Sequence, residues 1–116
     1  MMNMKAMILE KTAPVNKNLL ILKNIPLPEP KKGEILVKVT VYGICHTELD
    51  EIEGRLIPPK LPIIPGHEIV GRVEKLRPDA KRYKLGDRVG IAWIHWACNT
   101  CGFCKKGNEN LCRKAS

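Results

Sequence analysis

The chain has 116 residues, enough for one domain and short for two, and 44% of them are hydrophobic, so a core can form. Aromatics are scarce, with one Phe, two Trp and two Tyr, which leaves an aliphatic core of residues that favour strands as readily as helices. The net charge of +8 comes from lysines spread along the chain. Its densest run, Lys81-Arg82-Tyr83-Lys84, has no series of aromatics for bases to stack on, so no nucleic-acid partner is expected.

The opening stretch MMNMKAMILEK carries no long apolar run and no small-residue cleavage site. Nothing approaches the ~20 apolar residues of a membrane span, so no membrane partner is expected. A reducing, cytoplasmic location is the expectation, and there clustered cysteines bind metal more often than they pair as disulfides.

In chain order, Met4–Glu10 and Leu19–Ile25 read as strands, followed by Pro26, Pro28 and Pro30, which break any regular element. Gly33 opens a strand over Glu34–Val41. Ile35, Val37, Val39 and Val41 share one face while Lys38 and Thr40 take the other, as in a half-buried antiparallel sheet. Thr47-Glu48-Leu49-Asp50 reads as a helix start, a hydroxyl followed three positions on by a carboxylate, and Gly54 ends the helix within about two turns. A stiff loop with prolines at 58, 59, 62 and 65 follows, then strands over Ile69–Leu76 and Asp87–Trp93. Short strands, Gly/Pro turns and little helix predict a mainly β fold, a small barrel or sandwich, with a cysteine-rich loop after the last strand.

That loop spaces Cys98, Cys101, Cys104 and Cys112 as C-x2-C-x2-C-x7-C. Four thiolates complete a closed tetrahedron around zinc, and a closed shell is structural. Gly102 and Gly107 supply backbone freedom for the wrapping. An iron–sulfur run of the bacterial ferredoxin type would continue x3-C-P, which Leu111-Cys112-Arg113 does not. The fifth cysteine, Cys45, and His67 with its neighbour Glu68 each follow a glycine-marked turn. Taken singly, Cys45 is a small buried hydrophobe and His67 a satisfied polar residue. Taken together, Cys, His and Glu are competent zinc ligands, so a second, open metal site stands beside the bland reading.

The segments GICHTELD, PGHEIVG and GDRVG, followed by the four-cysteine loop in this order, resemble those of the zinc-dependent, medium-chain alcohol dehydrogenases. The resemblance implies a GroES-like, partly open β-barrel with a short helix and a zinc-binding lobe at about residues 95–113. Residues 1–116 would then be the N-terminal part of the catalytic domain. It further implies that Cys45 and His67 are ligands of a catalytic zinc, with Glu68 able to approach or replace a ligand. Cys98, Cys101, Cys104 and Cys112 would hold the structural zinc, and Thr47 would relay the alcohol proton. His46 would lie near the pyrophosphate of NAD or NADP, and Trp93 would line the substrate pocket for an alcohol or aldehyde.

There are departures from the family pattern. Glu48 stands where the family has an Asp that orients the zinc-bound histidine, Asp50 replaces a histidine at the outer end of the proton relay, and Arg77-Pro78 replaces a glycine. The family's third protein ligand for catalytic zinc comes later in sequence, and no cysteine follows Cys112. No G-x-G-x-x-G is present, so no Rossmann platform for the nucleotide is expected within this sequence. The expectation is therefore the metal-bearing part of an alcohol dehydrogenase, inactive alone. The alternatives are one chain of a split enzyme, partnered by a Rossmann-type chain, and a stand-alone zinc-binding interaction domain.

Overall fold

A computed structural model describes residues 2–116. Strand β1 (Asn3–Leu9) pairs antiparallel with β2 (Leu20–Pro26), from Asn3 opposite Pro26 to Leu9 opposite Leu20. A second sheet holds β3 (Ile35–Gly43), β4 (Glu68–Leu76) and β5 (Arg88–Ile91) in that order, with both pairings antiparallel. Helix α1 (His46–Glu53) follows β3 directly, and the one-turn helix α2 (Gly102–Lys105) lies in the cysteine lobe. Among the described residues the fold is mainly β, with five strands in two sheets that do not close into a full barrel. Among the described residues no helix is long and apolar enough to cross a membrane.

Leu9 is fully buried, and Ala6, Ile8, Ile52 and Val73 join it in the core. The first sheet is tied to the loop before β4 and to α1 through backbone. Leu9 N donates to Ile63 O at 2.8 Å and Ile63 N returns a bond to Leu9 O at 3.0 Å, while Ala13 N donates to Ile52 O at 3.1 Å. The proline-rich stretch before His67 is thereby stitched to the end of β1.

Two expectations change in detail. The apolar face of β3 is not evenly half-buried: Val39 and Val41 are 55% and 58% exposed. Register shifts between Leu36 and Val37 and between Val39 and Val41 interrupt the strict alternation, and nothing among the described residues covers that end of the strand. The last strand also stops at Ile91, so Trp93 stands beyond the sheet on the chain that leads into the lobe.

Gly71 explains how β3 and β4 approach so closely at the second irregularity. A Cβ there would lie 2.3 Å from Lys38 O and 2.6 Å from Val37 Cγ1, both on the paired strand. Backbone cannot yield as a flexible side chain would, so Gly71→Ala is expected to cost about 2 kcal/mol and lower Tm by roughly 5–15 °C. Gly90→Ala is the matched control, because its nearest atom, Ile69 O, is 3.8 Å away. Thermal unfolding followed by circular dichroism checks the pair, and equal Tm values would contradict the close approach.

Candidate metal centres

The cysteine lobe is more ordered than a bare loop. Cys101 precedes α2 and Cys104 lies within it, so one helical turn presents two thiols on the same side. Asn99 (φ 57°) and Gly107 (φ 77°) take the left-handed turns that wrap the chain, whereas Gly102 does not need its freedom. A 3-10 turn at Glu109–Leu111 brings Cys112 back beneath the others. The two ends of the lobe are clasped by Trp96 N to Ser116 O at 3.0 Å and Ser116 N to Trp96 O at 3.1 Å.

All four sulfurs lie within 4.8 Å of one another, with Cys98 to Cys104 at 3.9 Å and Cys101 to Cys104 at 3.5 Å. A tetrahedron with metal–sulfur bonds near 2.3 Å has sulfur–sulfur edges of about 3.8 Å, so the donor set fits one tetrahedral ion. The local field already separates the thiols. The Thr100 hydroxyl and the backbone N–H groups of Thr100 and Cys101 push the Cys98 thiol down to about 5. Backbone N–H donation, first from Cys104, lowers Cys101, while burial pushes Cys104 up to about 12. Clustered thiolates repel, and a cation among them is what lets all four ionise together.

The second group forms at the junction of β3, α1 and β4. Gly43 pairs with Glu68, so the residues just past the paired ends, Cys45 and His67, are brought together by sheet register. Cys45 Sγ lies 3.5 Å from His67 Nε2. Sulfur and nitrogen donors of one tetrahedral zinc would sit about 3.6 Å apart, so this pair also fits a shared ion. Cys45 doubles as the N-cap of α1: its sulfur accepts from Thr47 N at 3.4 Å, and Glu48 Oε2 accepts from Cys45 N at 2.7 Å. The helix therefore starts earlier than the Thr47–Asp50 pattern predicts, with sulfur in the place of the expected hydroxyl.

Glu48 is 5% exposed, and its Oε1 stands 2.9 Å from His67 Nδ1 while Cys45 meets the other ring nitrogen. Donor atoms of Cys45, Glu48 and His67 all lie within 4.8 Å of one another, so Glu48 also stands within reach of an ion held there. Oε1 makes no hydrogen bond of good geometry despite the close approach. The close contact of the carboxylate with the Nδ1 edge limits how the ring can turn. Burial pushes the Glu48 carboxyl up, but donation from the backbone N–H of Cys45, helped by the nearby His67, holds it below the usual range. The longer arm of glutamate thus still reaches the histidine. Glu68 is set differently: it is half-exposed, and Oε1 lies 3.8 Å from His67 Nε2, beyond the ~3.4 Å of two tetrahedral ligands.

The remaining predicted residues surround this pair unequally. Trp93 packs edge-on against His67, with ring centres 5.0 Å apart and an angle of 76°. Together with Val41, Ile69 and Ile91 they line an open cleft of about 740 Å³. Thr47 is on the first turn of α1, partly buried. His46 points to the outer side of the helix, where Nδ1 meets Asp50 Oδ2 at 3.3 Å, and Asp50 in turn takes Arg55 Nε at 2.6 Å. Two neighbours escaped the sequence reading. Glu51 has a buried, unpartnered Oε2, and burial, then the charge of Glu48, pushes its carboxyl up. Its i+3 spacing from Glu48 on a helix was the available signal. Tyr42 reaches Pro65 O, as described below, and no spacing rule points to it.

The alcohol dehydrogenase GroES-like domain family matches residues 31–116, most of the chain. The chain belongs to this family. An alcohol dehydrogenase of Geobacillus stearothermophilus is 42% identical over 112 residues, covering 96% of this chain and 32% of its own length. Another from the same organism is 47% identical over 105 residues, covering 88% and 31%. Among solved structures, the cobalt- and zinc-bound thermostable alcohol dehydrogenase from Pyrobaculum aerophilum superposes with a TM-score of 0.85 at 26% identity, covering 97% of this chain and 33% of that one. The GroES-like chain thus spans about a third of the length of these relatives.

Stripping metal from the GroES-like chain with a chelator is expected to open residues 95–113 to protease while β3, β4 and β5 stay protected. Cys104→Ser, which removes a buried sulfur, is expected to reproduce the effect without chelator. Limited proteolysis with mass spectrometry checks both. An unchanged cleavage pattern would mean that no ion holds the lobe.

Proposed function

We propose that this GroES-like chain is the N-terminal, zinc-bearing part of the catalytic domain of an alcohol dehydrogenase. The parent enzyme would oxidise an alcohol to an aldehyde or ketone with NAD or NADP. The observation that carries the reading is the 3.5 Å approach of Cys45 Sγ to His67 Nε2 at the mouth of an apolar cleft, in a chain of this family. Cys98, Cys101, Cys104 and Cys112 are the structural zinc set, and Cys45 and His67 are two ligands of a catalytic zinc, with Glu68 beside them.

When bound, zinc supplies the Lewis acidity that lets an alcohol lose its proton near neutral pH, and the nicotinamide supplies the hydride acceptor. The chain's own residues do the rest. Glu48 orients His67 so that Nε2, not Nδ1, faces Cys45. Thr47, two residues after Cys45, is placed to accept the alcohol proton at its hydroxyl and pass it outward. Trp93 walls one side of the cleft, edge-on against His67. His46, exposed on the first turn of α1, offers a ring N–H to a pyrophosphate and has Asp50 to hold its ring. The third ligand and the nucleotide platform come from outside these 116 residues, whether later in one polypeptide or on a Rossmann-type partner.

Joining the chain to the cofactor-binding portion of one of its relatives tests the reading. The fusion is expected to oxidise small alcohols in the presence of NAD or NADP. Thr47→Ala should lower kcat about a hundredfold with zinc content unchanged, and Cys45→Ala should remove one zinc per chain along with activity. A fusion that holds two zinc ions and remains inactive toward every alcohol tried would overturn the proposal.

A further inference from the structure

The pairing of β3 with β4 brings His67 near Cys45, but it does not by itself aim the imidazole. Aim depends on the backbone just before it, at Pro65 and Gly66, where the proline-rich loop enters β4. Gly66 has φ 142°, a conformation that L side chains rarely adopt. The space beside it is filled by Tyr42: a Cβ on Gly66 would lie 2.1 Å from Cε2 and 2.5 Å from the hydroxyl oxygen of that ring. The same hydroxyl donates to Pro65 O at 2.7 Å. Tyr42 sits opposite Ile69, one pair in from the end of the strand pairing, so a single side chain on β3 grips both residues that precede His67.

We propose that Tyr42 is a positioning residue for His67, holding Pro65 and Gly66 so that the imidazole meets Glu48 on one edge and Cys45 on the other. The inference rests on the reading of Cys45 and His67 as a metal-binding pair. Two contacts with different chemistry act in series. The ring excludes any other path for the Gly66 backbone by bulk, and the hydroxyl fixes the Pro65 carbonyl by direction. Burial, then the charges of Glu48, Glu51, Cys45 and Glu68, raises the phenol above its ordinary value, which favours the protonated, donating form. Neither contact touches a metal, a substrate or a cofactor. Tyr42 acts only through His67.

The test separates the hydroxyl from the ring and ring aim from metal binding. Tyr42→Phe keeps the bulk and loses the bond, and Tyr42→Leu loses both. In metal-free, 15N-labelled chain, long-range proton–nitrogen spectra report the tautomer of His67 directly. Wild type is expected to show one dominant tautomer, its ring held with the Nδ1 edge toward Glu48. Tyr42→Phe should shift the ring nitrogens toward the averaged values of a freely exchanging imidazole, and Tyr42→Leu should shift them further. Cobalt titration is the second readout: uptake at the four-cysteine lobe should stay unchanged, which shows the fold is intact. Affinity at the Cys45–His67 pair should fall about fivefold in Tyr42→Phe. His67 nitrogen shifts identical in wild type and both variants would overturn the proposal. If wild type shows a fixed tautomer that the variants release, yet takes up no second cobalt, the positioning role stands and the metal-pair reading fails.

Discussion

The antiparallel pairing of β3 with β4 is the constraint on which the rest depends. Chain reversal over twenty-four residues, through a helix and a stiff loop, has to return with Gly43 opposite Glu68, or Cys45 and His67 do not meet. A slip of one residue would turn every side chain of β4 to the other face. The register is protected by steric means rather than by attraction alone. Gly71 admits the backbone of β3 where a methyl group would strike the Lys38 carbonyl. A glycine is usually a weak point in a strand, and here Gly71 disfavours alignments that would put a side chain against the backbone of β3.

The two candidate metal-binding groups solve opposite problems with related parts. In the lobe, four sulfurs come from one short segment whose ends are clasped together, so the donors are local and the shell can be complete. At the strand junction the donors come from two separate elements, and orientation must be supplied by neighbours: Glu48 behind the imidazole, Trp93 on its edge, Tyr42 beneath the backbone. The first arrangement is self-sufficient. The second depends on its surroundings, and it opens on an apolar cleft lined by Val41, Ile69 and Ile91.

Much of this was legible in the sequence, for physical reasons that can be named. The strands carry period-two patterns bounded by Gly and Pro, and Gly54 closes α1 in the left-handed conformation expected of a helix stop. The cysteine spacing encodes a local structure and so could be read without a fold. Illegible features are those that spacing does not encode. The exposure of Val39 and Val41 follows from bulges that depend on the partner strand. The sulfur N-cap at Cys45 breaks the usual preference for oxygen, so the helix start read from Thr47 fell two residues late. Tyr42 and Pro65 are twenty-three residues apart, and only the pairing makes them neighbours.

The reciprocal bonds between Leu9 and Ile63 carry a consequence for motion. The β1–β2 hairpin is its own sheet, and this bridge links it to the loop that delivers His67. Should the hairpin lift away in a partial opening, Ile63 would lose both backbone partners at once, two residues ahead of the Pro65 carbonyl that Tyr42 holds. The N-terminal hairpin therefore acts as ballast for the imidazole from across the molecule. The amides of Leu9 and Ile63 would exchange with solvent at one shared rate, as members of a single cooperative unit.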